Sequence, residues 1–95
     1  MAQLTTVSAA AATWTEITNA DATALTFQNQ AGINMLLKGT TDATAPTTTA
    51  GAIIYPPFMG ERNVTIADLF PEPSNVDRLW VRFEAGPGSV MVSHA

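Results

Sequence analysis

The side chains that could perform acid–base or metal chemistry are few and scattered. The single histidine, His94, is the penultimate residue, and a catalytic triad or a histidine metal site would need a third group to hold it. The eight carboxylates are spread along the chain, and no two share a short strand or a helix face as a hydrolase pair would. Calcium-loop and phosphate-loop motifs are absent. We therefore expect no catalytic residue, no metal and no cofactor.

A second kind of chemistry, that of protein contact, is concentrated around Trp80. It lies between Arg78 and Arg82, and all three side chains point outward from a predicted strand. An exposed tryptophan flanked by arginines is a common composition of interface anchors. Carbohydrate stacking is a second interpretation of Trp80. In a third interpretation, both faces of the strand are covered.

The segment from Tyr55 to Met59 is a second contact candidate, because its two prolines make it rigid and its other side chains are apolar. Prolines remove ladder donors, so the segment belongs at a sheet edge or a crossover. Phe58 and the nearby Arg62 complete the set, and Arg62 would form a rim ion pair worth about 0–1 kcal/mol or specify register at an interface. The candidate partner-binding residues are Trp80, Arg78, Arg82, Tyr55, Phe58 and Arg62.

These side chains are positioned by strands, because a period-two alternation of apolar and polar residues dominates the sequence. His94 would face the same way as Val90 and Val92, at the edge of the core or against a partner. The fold class is therefore all-β, a small antiparallel sandwich or barrel. The predicted strands cover residues 13–18, 22–28, 32–38, 77–84 and 89–94. The predicted inward residues are Leu25, Phe27, Ile33, Met35, Leu37, Leu79, Val81, Phe83, Val90 and Val92.

The turns and irregular segments complete the predicted domain, which covers residues 14–95. Gly86-Pro87-Gly88 is typical of a tight hairpin between the last two strands. Residues 65–70 predict a single helical turn, capped by Thr65 and closed by Pro71. A Thr/Ala-rich loop at 39–51 is either a surface loop or a contact loop. Residues 1–13 are expected to form an N-terminal arm.

Composition excludes several function classes. The chain has 95 residues, four basic side chains and a net charge of −4, which argues against nucleic-acid binding and against an anionic membrane surface. The absence of cysteine excludes disulfides, and neither a signal peptide nor a membrane span is evident. Charged residues make up only 13% of the chain, about half the usual fraction. A surface of this kind suits packing against other subunits.

Four stretches of the sequence form a distinctive combination. They are the run from Gly60 to Pro71, Gly-Glu-Arg-Asn-Val-Thr-Ile-Ala-Asp-Leu-Phe-Pro, the segments Trp14-Thr15-Glu16-Ile17-Thr18 and Ala24-Leu25-Thr26-Phe27-Gln28-Asn29, and the closing Val90-Met91-Val92-Ser93-His94-Ala95. Together they resemble small virion structural proteins of tailed bacteriophages, and the run from Gly60 to Pro71 is the most specific of them. The resemblance implies a non-enzymatic virion component, most simply a capsid decoration (cement) protein. No catalytic residues accompany it.

The expected partners are therefore the major capsid protein, further copies of this chain, or both, in a homo-oligomer such as a trimer. The expected location is the virion, assembled in the host cytoplasm. An alternative is a tail or spike adhesin module that binds host-surface glycan through Trp80 or Tyr55. A small hydrolase is a third alternative, disfavoured because His94 is near the terminus and no nucleophile motif exists.

Overall fold

The structure, a computed structural model, describes residues 3–19, 22–71 and 75–94. They form an all-β sandwich of two four-stranded sheets, as the alternation predicts. The first sheet has the strand order β1-β8-β3-β6 and the second has the order β2-β7-β4-β5. Neighbouring strands in both sheets run antiparallel. The elements are β1 (Gln3–Ala9), β2 (Thr15–Glu16), β3 (Ala24–Asn29), β4 (Met35–Thr40), β5 (Ile53–Tyr55), β6 (Gly60–Thr65), α1 (Ile66–Leu69), β7 (Arg78–Arg82) and β8 (Gly88–His94).

The core lies between the two sheets and consists of the residues that alternation places inward. Nine of the ten predicted inward side chains are buried, and Ile33 is partly buried against them. Burial of such apolar side chains contributes about 1.5–3 kcal/mol each. The helical turn is also confirmed, since the Thr65 hydroxyl accepts the Asp68 amide at 3.3 Å and Ile66 is buried. Leu69 and Phe70 pack against the same core.

The predicted hairpin between the last two strands is wrong. β7 pairs with β2 and β4 in the second sheet, whereas β8 pairs with β1 and β3 in the first. The Gly86-Pro87-Gly88 turn therefore carries the chain from one sheet to the other. Gly88 is needed there, because a Cβ at this position would lie 2.7 Å from the Phe83 ring. A glycine–proline turn suits a crossing of this kind as well as a hairpin.

The predicted arm at residues 1–13 is wrong for the part that the structure describes. Residues 3–9 form β1, which pairs with β8 in continuous register from Gln3↔His94 to Ala9↔Gly88. The chain then crosses to the second sheet, where the Ala12 amide donates to the Phe83 carbonyl at 2.8 Å. Because β1 and β3 flank it, β8 is an inner strand of the first sheet, and both of its backbone edges are paired.

The Thr/Ala-rich loop is shorter than the predicted range 39–51, because β4 extends through Thr40. Beyond β4 the loop residues are mostly exposed. Side-chain contacts from β4 attach the loop to the sheet. The Lys38 ammonium donates to both the carbonyl and the hydroxyl of Thr48 at 3.2 Å, and the Thr40 hydroxyl donates to the Asp42 carbonyl at 2.6 Å. A partner contact by this loop stays a prediction.

Candidate partner-binding site

Trp80 lies on the outer face of the second sheet, but it is buried. Only 8% of the residue is exposed, and its indole N–H donates to the Thr40 hydroxyl at 2.9 Å. Its cross-strand neighbours are Glu16 of β2 and Lys38 of β4, so it sits in the middle of the sheet. Of the interpretations of Trp80, the covered strand is therefore correct, and the exposed anchor is wrong.

The two arginines beside Trp80 are held by carboxylates. Arg78 forms an ion pair with Glu16 at 2.9 Å, and the same carboxylate accepts the Thr18 hydroxyl at 2.8 Å. Arg82 pairs with Glu84, and its guanidinium carbon lies 6.0 Å from the centroid of the Trp14 ring. Both arginine side chains are about one-quarter exposed or less. The charged groups of both arginines therefore have partners within the chain.

Tyr55, another candidate contact residue, is part of the core. Its ring packs edge-on against Phe27 with centroids 5.1 Å apart, and only 7% of the residue is exposed. The hydroxyl donates to the Glu61 carboxylate at 3.2 Å. Burial, then the negative charge of Glu61 and this hydrogen bond, raise the pKa of Tyr55 to about 12. Tyr55 therefore joins β5 to β6, and it is not available as a sugar platform.

The raised pKa of Tyr55 predicts a loss of stability at alkaline pH. The unfolded tyrosine releases its proton near pH 10.0, whereas the folded one keeps it to about 12, so the stabilisation is complete below pH 10 and is lost as the pH rises through about 12. After allowance for solvent screening we expect a loss of about 1–2 kcal/mol. Tyr55 is the only tyrosine, so alkaline titration of tyrosinate absorbance measures its pKa directly. A midpoint near 10 would contradict the raised pKa.

Phe58 is the one aromatic side chain in an exposed position among the residues that the structure describes, with 62% of the residue exposed. It occupies the third position of the turn 56–59, which the Met59 amide closes by donating to the Pro56 carbonyl at 3.2 Å. The backbone of Phe58 is left-handed, with φ +65. Glycine normally takes this position after proline, and a bulky side chain there is an outlier that costs roughly 1–2 kcal/mol. The turn therefore presents an aromatic ring at the cost of local strain.

The surroundings of Phe58 form a mixed apolar and charged surface on the outer side of the first sheet. We call it the Phe58 patch and define it as Gln28, Phe58, Met59, Arg62 and Met91, which line one shallow depression. Glu61 lines the same depression, and its carboxylate accepts the Tyr55 hydroxyl. Met59 is 55% exposed. Arg62 is exposed and forms no ion pair with any residue that the structure describes. The predicted rim ion pair of Arg62 is therefore not formed within the part of the chain that the structure describes.

The buried amide of Asn29 holds this turn in place. Its N–H groups donate to the carbonyls of Ile33 at 2.9 Å and of Tyr55 and Pro56 at 3.2 Å, and its oxygen accepts the Ala31 amide at 2.9 Å. On the surface, the Gln28 amide donates to the Phe58 carbonyl at 3.0 Å. The turn that carries Phe58 is thus held by two contacts, one from the buried Asn29 to Pro56 and one from the surface residue Gln28 to Phe58 itself.

His94 is buried at the edge of the core, as predicted for a pinned last strand. Its exposed fraction is 5%, and its Nε2 accepts the Asn19 amide at 3.5 Å. Among residues 3–19, 22–71 and 75–94, no group of three or more His, Cys, Asp or Glu side chains could hold a metal ion. In the same residues no helix is long and apolar enough to cross a membrane.

Comparisons with protein-family models, curated proteins and solved structures find no match to this chain. The site therefore has to be interpreted from its own geometry. Of the six predicted contact residues, the structure brings only Phe58 and Arg62 together on an open surface. Gln28 and Met91 were not predicted as contact residues. Alternation placed Met91 on the outward face, but only the β3–β8 register places it beside Gln28.

Proposed function

We propose that this chain is a non-enzymatic virion structural protein of tailed bacteriophages, a capsid decoration (cement) protein that binds the head shell and stabilises it. The virion assignment is based on the sequence resemblance alone. The docking surface is based on one structural observation, the exposed Phe58 ring held in a strained turn. The proposed partner of the protein is the major capsid protein, and its proposed location is the virion, assembled in the host cytoplasm.

The Phe58 patch suits protein contact for three reasons. Aromatic residues, methionine and arginine are enriched in the centres of interfaces, and the patch contains Phe58, Met59 and Arg62. Backbone strain concentrates at binding sites, where surrounding structure fixes the strained residue. The turn fixes Phe58 in place, and Arg62 forms no ion pair with a residue that the structure describes, so docking would not have to break an ion pair among those residues.

The low charge of the chain supports the same proposal. Only 13% of residues are charged, and an uncharged surface loses little solvation when it packs against a shell. We propose neither nucleic acid nor membrane as a partner, because a chain with net charge −4 is repelled by phosphate surfaces.

The adhesin alternative has lost the two aromatic anchors on which it was based. Trp80 and Tyr55 are both buried, and Phe58 alone would have to stack on a sugar. Sugar sites usually use several exposed aromatic rings, and this surface has one. A glycan array that shows specific binding, lost in Phe58→Asn, would revive this alternative.

Sedimentation with empty phage heads, assembled from the major capsid protein of the same genome, tests the proposal. We expect the protein to sediment with the heads up to a saturating ratio. Because a ligand that binds only the assembled state stabilises it, bound protein should raise the temperature at which the heads disrupt. Absence of binding to heads, with the protein found in purified tails, would contradict the proposal.

A further inference from the structure

Each sheet of the sandwich ends in two edge strands, and three of these four edges carry features that prevent further pairing. β2 has two residues, and β5 has three and is followed by Pro56 and Pro57. β6 carries Glu61 and Arg62, and its register with β3 shifts where Asn63 has φ +45. Short length, proline, charge and bulges are the usual ways in which proteins protect an edge.

The fourth edge, β1, carries none of these features. It has seven residues in unbroken register with β8, and in the part of the chain that the structure describes it pairs with no other strand. The sequence contains no charged residue before Glu16. Leu4 is 79% exposed. A long, regular, uncharged edge is a template for another strand.

The hydrogen-bond pattern shows which backbone groups of this edge are free. The Gln30 amide donates to the Ser89 carbonyl at 3.0 Å, so every second residue of β8 from position 89 directs its backbone groups toward β3. The residues between them face β1, because the direction alternates along an antiparallel strand. By the β1–β8 register, the N–H and C=O groups of Leu4, Thr6 and Ser8 therefore point away from the sheet.

We propose that two copies of this chain pair through β1, antiparallel, about a two-fold axis at Thr6. Thr6 would pair with Thr6 of the second copy, and Leu4 with Ser8. Each of the three residues then donates and accepts one hydrogen bond, so that the two first sheets form one sheet of eight strands. A second copy fits because the edge is self-complementary under two-fold symmetry and because no like charges oppose each other along it.

The proposed dimer is independent of capsid docking, because β1 contributes no residue to the Phe58 patch. Backbone hydrogen bonds between exposed edges give a modest net gain, and association costs translational and rotational freedom. We therefore expect an equilibrium that shifts to monomer on dilution.

Analytical ultracentrifugation over a concentration series, with the Thr6→Pro variant, tests this proposal. The wild type should rise from the chain mass of 10.0 kDa to twice that mass as its concentration increases. Thr6→Pro should stay monomeric and folded, because proline removes an N–H that points away from the sheet. Hydrogen exchange of the Leu4, Thr6 and Ser8 amides should slow with concentration in the wild type.

Two further variants separate loss of the dimer from loss of folding. Thr5→Pro removes an N–H that faces β8, so it should lower the thermal stability, which Thr6→Pro should largely preserve. Leu4→Lys places a charge on the edge and should also abolish the dimer without a proline. A wild type that stays monomeric at all concentrations, that forms another stoichiometry, or whose dimer survives both Thr6→Pro and Leu4→Lys would overturn the proposal.

Discussion

Replacing Asn29 with alanine is expected to lower the free energy of unfolding by about 3–5 kcal/mol. The side chain is fully buried, and its amide joins the end of β3 to carbonyl groups at Ile33, Tyr55 and Pro56. Alanine would remove this donor from the three carbonyls, of which that of Pro56 keeps the Met59 amide, and a buried group left unsatisfied costs about 1–3 kcal/mol. Loss of the Pro56 contact would also remove the core-side support of the turn that carries Phe58.

Urea denaturation of Asn29→Ala measures this loss, and Asn34→Ala provides the control. Asn34 is an exposed residue of the same type, five positions further along, and its replacement should change stability by no more than about 0.5 kcal/mol. If the two variants were equally stable, the structural role of Asn29 would be refuted.

Replacing Gly60 with alanine is expected to cost about 2–4 kcal/mol. A Cβ at Gly60 would lie 2.0 Å from the carbonyl oxygen of Phe27 and 2.7 Å from the Cα of Gln28. Both are backbone atoms of β3, so relief requires β6 to move away from its partner strand. The movement would also displace the Phe58 patch, because Gly60 follows Met59 directly.

Thermal or urea unfolding of Gly60→Ala should be compared with that of Gly32→Ala. A Cβ at Gly32 meets no atom within 4 Å, so this control removes a glycine without a clash and should stay within about 0.5 kcal/mol of the wild type. Equal stabilities for the two variants would show that β3 and β6 do not approach each other this closely.

The layers of the fold could be predicted from sequence because burial alternates residue by residue. Leu25 and Phe27, or Val90 and Val92, are inward in any arrangement of these strands, since side chains alternate along a strand. Strand partners were not predictable in the same way. Gly86-Pro87-Gly88 permits both a hairpin and a crossing between sheets, and the contact of Gly88 with the Phe83 ring that favours the crossing exists only in the folded protein.

The candidate site was only partly predictable for a similar reason. Trp80 is outward by alternation but is covered in the middle of its sheet, where it donates to Thr40. Phe58 was predicted as a contact residue because it is aromatic and lies in a rigid segment. Its left-handed backbone could not be predicted, because the sequence signals of that conformation are glycine and asparagine. The free edge at β1 was missed because its residues, Thr, Val and Ala among them, lack any charge or periodicity that separates a strand from an arm.

The central claim is that Phe58 docks this protein on a partner shell, and head binding by Phe58→Asn tests it most directly. Asparagine tolerates the left-handed backbone, so the variant should be at least as stable as the wild type. We expect its affinity for empty heads to fall by about 10–100-fold, as for an aromatic anchor. Ile54→Asn, which removes a residue that is 59% exposed on the other sheet, should bind as the wild type does. Equal head binding by Phe58→Asn and the wild type would contradict the account.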